Sequence, residues 1–94
     1  MKKLKTAAKE AKDTFPEIKE SRLFGSLARN QETGLSDVDI FIMAETEIKN
    51  PIERTKPYFY FFSKRLKMSL DLIVARPEEL SQYEEMLKGS LPLI

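Results

Sequence analysis

The segment Asp37 to Met43 (DVDIFIM) constrains this chain more than any other part of it. Its β-branched and aromatic residues predict a strand. Strand side chains alternate, so Asp37 and Asp39 share one face while Val38 and Ile40 turn to the other. Two carboxylates held that close repel each other unless a cation sits between them.

The remaining elements assemble around that strand. Residues 3–13 (KLKTAAKEAKD) place Leu4, Ala7, Ala8 and Ala11 at helical spacing, which predicts an amphipathic helix with a lysine-rich outer face. Phe15-Pro16 ends it. Ile18 to Phe24 (IKESRLF) alternates loosely and reads as a strand running into a turn at Gly25-Ser26, with a short helix over residues 26–29. Residues 30–36 (NQETGLS) are turn chemistry. Asn50-Pro51-Ile52-Glu53 reads as a helix start, with Asn as cap and Pro in the first turn. That helix runs to about Lys67, and Pro57 either kinks it or moves its regular part to near Thr55. Ser69 to Ala75 (SLDLIVA) is a third strand, and Pro77 to Lys88 a last helix closed by Gly89. The order αβαβαβα predicts an α/β (α+β) fold with a mixed sheet of three or slightly more strands. With 94 residues and no linker or repeat, residues 1–94 are expected to form a single small domain.

Composition decides which chemistry is open to such a chain. It has no His and no Cys, so acid–base work falls to carboxylates, Tyr, Lys or a metal-bound water. Any metal would have oxygen ligands, which favours Mg²⁺, Mn²⁺ or Ca²⁺. The formal charge of +1 argues against direct binding of nucleic acid over the whole surface. The lysine-rich start lacks the apolar region of a signal peptide, and no apolar run approaches the roughly 20 residues of a membrane span. The expectation is a soluble cytoplasmic protein without a membrane association.

Gly25-Ser26 ends a strand and opens a helix, where backbone N–H groups and the helix dipole can receive an anion. Phosphate is the expected anion, and a cation on the carboxylates would complete a site for a nucleoside triphosphate. For these groups to meet, the first two strands must be antiparallel. Asp71 joins the same end only if the second and third strands are parallel, linked through the helix of residues 51–67.

At this point the residues resemble a known family. Leu23-Phe24-Gly25-Ser26-Leu27-Ala28-Arg29-Asn30 followed by Ser36-Asp37-Val38-Asp39-Ile40 is similar to the Gly-Ser and Asp-x-Asp signature of the DNA polymerase beta-type nucleotidyltransferases, and within them to the minimal nucleotidyltransferase (MNT) domain. Leu70-Asp71-Leu72-Ile73-Val74 matches the strand that carries that family's third Asp, and Leu87 to Leu93 resembles its C-terminus. Asn30 stands where the family usually has Gly; Asn also adopts the left-handed conformation.

The resemblance implies a palm-like fold and a role for each of these residues. Asp37 and Asp39 would ligate two Mg²⁺ ions, and Asp71 would complete the metal site and help deprotonate the attacking hydroxyl. Gly25 and Ser26 would bind the triphosphate of ATP. Arg29 would steady phosphate or lie exposed at a helix end, and Ser36 would bind nucleotide or cap its turn. The implied partner is a HEPN-type RNase toxin, inactivated by transfer of AMP to a tyrosine, with the present chain as antitoxin. Two other readings stand beside it: a small-molecule nucleotidyltransferase, and a non-catalytic module that blocks a partner sterically. The aromatic run Tyr58 to Phe62 divides between core and partner contact, since five adjacent side chains cannot face one core. The oligomeric state, homo- or hetero-, is left open.

Overall fold

The computed structural model describes residues 2–24, 38–66 and 70–93. Helix α1 (Lys2–Thr14) leads into strand β1 (Ile18–Phe24); strand β2 (Val38–Ala44) is followed by helix α2 (Pro51–Leu66) and strand β3 (Leu70–Ala75). A 3-10 segment (Pro77–Tyr83), a single turn of helix α3 (Glu84–Leu87) and the short strand β4 (Leu91–Pro92) complete the described chain. The sheet has four strands in the order β3-β2-β1-β4. β1 is antiparallel to both β2 and β4, and β2 is parallel to β3, so the sheet is mixed as the motif geometry required. The fold is a small α+β domain.

Amphipathic patterning sets the packing. In α1, Leu4, Ala7, Ala8 and Ala11 are buried, while Lys3, Lys5, Lys9 and Lys12 are exposed. These small residues let the helix lie close on the sheet beside α2, which contributes Tyr58, Phe62 and Leu66. Together they cover Ile18, Leu23, Val38, Ile40, Ile42, Leu70 and Val74. Burying a side chain the size of Phe62 contributes about 2–3 kcal/mol, so a few such residues set the stability of so thin a core. The loose alternation of β1 has a structural cause: the register against β2 shifts between Ile18 and Glu20, so Ile18 as well as Ser21 and Leu23 are buried despite the odd spacing.

Of the two later helices, the first keeps the expected start and cap, and the second differs from the sequence expectation. α2 begins at Pro51 and continues through Pro57, without a later start at Thr55. Its start is fixed by Asn50, whose Oδ1 accepts hydrogen bonds from the N–H groups of Ile52 (2.9 Å) and Glu53 (3.2 Å). Pro57 lies on the exposed side, where water can satisfy the carbonyl that its missing N–H leaves unpaired. The expected last helix over residues 77–88 is instead a 3-10 segment followed by one α turn, broken at Tyr83 (φ −114°, ψ 3°). That break accompanies the packing of the Tyr83 ring on Phe41, centroids 5.5 Å apart. Gly89, with φ +78°, then turns the chain into β4, a conformation that favours glycine.

Arg54 was not singled out in the sequence, and it joins three elements. Although on a helix it is 2% exposed. Its guanidinium donates to Glu79 Oε1 (2.6 Å), to the Val74 carbonyl (3.3 Å) and to the Lys49 carbonyl. The Arg76 N–H also donates to Glu79 Oε1 (2.9 Å). These donors, Arg54 first, hold the Glu79 carboxyl below its ordinary range. Among the described residues, no helix is long and apolar enough to cross a membrane.

Candidate active site

Three neighbouring strands align one row of side chains on the sheet face opposite the main core. In the β1–β2 ladder Phe24 pairs with Asp39, and in the β2–β3 ladder Asp39 pairs with Asp71. Residues paired in a ladder point to the same face, and neighbouring strands lie about 4.8 Å apart, so the two aspartates are adjacent. Asp39 is half-buried and Asp71 exposed. The end of β1 that leads into Gly25 therefore lies beside the start of β2, and Asp71 lies at the same end of β3.

The next row on this face is apolar at its centre. Arg22 pairs with Phe41 and Phe41 with Ile73. Phe41 is buried beneath Tyr83, so the segment after β3 covers this row and leaves the aspartate row beyond it. Arg22 is committed elsewhere: Nη1 pairs with Glu20 (2.8 Å), Nε donates to Ser90 Oγ (2.6 Å) and Nη2 to the Ser90 carbonyl (3.1 Å). It fastens the C-terminal segment to β1 and has its charge offset by Glu20.

Of the residues singled out in the sequence, the structure brings Asp39 and Asp71 together. Asp37, Gly25, Ser26, Arg29, Ser36 and Asn30, with the expected short helix of residues 26–29, lie outside the described residues. Among the described residues, no group of three or more His, Cys, Asp or Glu side chains is gathered as a metal site. The donor chemistry of the Asp39–Asp71 pair nonetheless fits a hard divalent cation, because two carboxylates on adjacent strands offer only oxygen ligands. The aromatic run divides as its spacing required: Tyr58 and Phe62 are core, whereas Phe59 and Tyr60 are exposed. Tyr58 Oη donates to Glu17 Oε2 at 2.6 Å, and burial with that carboxylate pushes its hydroxyl pKa well up.

A family model for the nucleotidyltransferase domain matches residues 4–92. The chain belongs to the nucleotidyltransferase domain family. Solved structures agree with that membership. A Sulfolobus solfataricus protein assigned to the nucleotidyltransferases is 26% identical, with a TM-score of 0.69 over 97% of this chain and 76% of that one. Two toxin–antitoxin structures share the fold. One, with AMP-PNP, is 21% identical at TM-score 0.72, covering 96% of this chain and 72% of that one. The other, an MntA-HpeT mutant with two aspartates changed to glutamate, is 20% identical at TM-score 0.69, covering 97% and 71%. No curated protein matches in sequence. Within this nucleotidyltransferase, Asp39 and Asp71 are the described residues that unite the Asp-x-Asp strand with the third-acid strand.

Proposed function

We propose that this nucleotidyltransferase transfers AMP from ATP to a hydroxyl of a partner protein, and that it serves as the cytoplasmic antitoxin of a HEPN-type RNase toxin. The observation that carries the reading is the in-register pairing of Asp39 with Asp71 at the end of β1 that leads into Gly25-Ser26. The toxin–antitoxin neighbours support the choice of partner, and the AMP-PNP in one of them supports an adenine nucleotide.

In this reading Asp37, Asp39 and Asp71 would hold Mg²⁺, which when bound neutralises the triphosphate and the departing pyrophosphate. The chain's own groups do the rest. Backbone N–H groups and the hydroxyl at Gly25-Ser26 receive the phosphates. Asp71, exposed at the open edge of the row, takes the proton of the acceptor hydroxyl. The hydroxyl oxygen bonds to the α-phosphorus, the bond from that phosphorus to the bridging oxygen breaks, and pyrophosphate leaves.

The test is intact-mass measurement of a co-expressed HEPN-type partner. A gain of one or more AMP units with wild-type chain, absent with Asp71→Asn, is the expected result. No gain on the partner, together with inhibition of it that survives in the Asp71 variant, would assign the chain to the steric module.

A further inference from the structure

β3 is an edge strand: among the described residues, no strand pairs with its outer side. Natural sheets usually blunt such an edge with Pro, charge or a bulge. Within Leu70–Ala75 the only charge is Asp71 near the start, and there is no Pro. The unpaired edge borders an apolar groove of about 560 Å³, lined by Ile52, Lys56, Phe59 and Tyr60 of α2, by Ile73 of β3, and by Tyr83. Ile52 is 73% exposed, Tyr60 65% and Phe59 40%, so these side chains stand out beside the recess they border. Large apolar groups left in water this way mark an interaction surface.

We infer that the occupant of this surface is a second copy of the chain, joined through β3 across a twofold axis. Each requirement of the patch is met by the patch itself, which is the condition for an isologous interface. The β3 edge needs an extended strand with free N–H and C=O groups, and an antiparallel β3 supplies one. The recess needs apolar side chains, and Ile52 and Tyr60 of the facing α2 supply them. Charge agrees as well. Lys56, among the described residues the one charged residue lining the groove, is offset by Glu53 of its own helix at 3.3 Å, so two copies of the patch can meet across a twofold axis without setting uncompensated like charges against each other. The pairing makes one eight-stranded sheet from two four-stranded ones, with the α2 helices antiparallel on one face. It also stiffens β3, the strand that carries Asp71, so both acidic rows would lie on the opposite face of one continuous sheet.

Sedimentation equilibrium of the purified full chain tests this. From about 1 µM to about 1 mM, a range that spans weak to moderate association, the mass should rise toward twice 10.9 kDa. The double variant Ile52→Asp, Tyr60→Asp should stay at the monomer mass over that range. Circular dichroism should show its helix content unchanged, since both side chains project into solvent in the single chain. Ile48→Asp is the control, because Ile48 is 45% exposed but lies outside the groove, and it should dimerise like wild type. A wild-type chain that stays monomeric throughout, or a dimer that persists in the well-folded double variant, would overturn the inference.

Discussion

Asp39 and Asp71 face each other across the parallel β2–β3 ladder, one residue directly opposite the other. Thirty-one positions separate Asp39 from Asp71 in sequence, and α2 with its connections brings them together. The pairing sets two carboxylates side by side at one end of the sheet, an all-oxygen donor set of the kind that hard divalent cations take.

Asp71→Asn should therefore abolish nucleotidyl transfer and weaken Mg²⁺-dependent binding of ATP, while leaving stability within about 0.5 kcal/mol of wild type, because Asp71 is exposed. Urea unfolding and calorimetric titration of the same variant separate the two effects. A variant that loses transfer only because it unfolds would contradict the assignment.

At the proposed phosphate cradle, Gly25→Val should reduce transfer far more than Ser26→Ala. The first blocks close approach of backbone to phosphate, whereas the second removes one hydroxyl among several donors. Steady-state rates with ATP held at saturation, and then below it, check the order. Equal losses would show that the turn does not cradle phosphate.

The Arg54–Glu79 pair makes stability sensitive to acid. Its donors hold the Glu79 carboxyl below the ordinary value of 4.5, so folding favours the ionised form. That contribution is present above about pH 4.5 and is lost as pH falls through the lower folded-state value. Glu79→Gln should flatten the fall in stability in this acid window, as read from urea midpoints between neutral and acidic pH. Arg54→Met should cost about 2–3 kcal/mol at neutral pH, since it strands Glu79 and two carbonyls.

Tyr58 supplies the opposite limb. Burial and the Glu17 carboxylate raise its hydroxyl above the ordinary 10.0, so its contribution is present below about pH 10 and lost as the pH rises beyond it. Of the three tyrosines, Tyr60 is exposed, and a spectrophotometric titration should show Tyr58 ionising only as the protein unfolds. Tyr58→Phe should remove that late step. A full three-tyrosine titration in the folded protein would count against the buried hydrogen bond.

Much of this architecture was readable in local pattern. The apolar spacing of α1, the β-branched run of β2, the Asn50 cap and the turn at Gly89 each depend on interactions within a few residues, so the sequence alone determined those elements. The antiparallel β1–β2 and parallel β2–β3 pairings also followed, once Asp39 and Asp71 were required to share one end of the sheet. Other features depended on partners distant in the chain. Arg54 reads as one more helix-surface cation until Val74 and Glu79 close around it, and the exposed-looking segment 77–83 gives up regular α-helix where Tyr83 packs on Phe41. The division of the aromatic run is of the same kind. Spacing showed that its side chains must separate, but the position of the sheet under α2 chose Tyr58 and Phe62 for the core and left Phe59 and Tyr60 beside the open edge of β3, because burial is decided by what lies across from a side chain rather than by its neighbours in sequence.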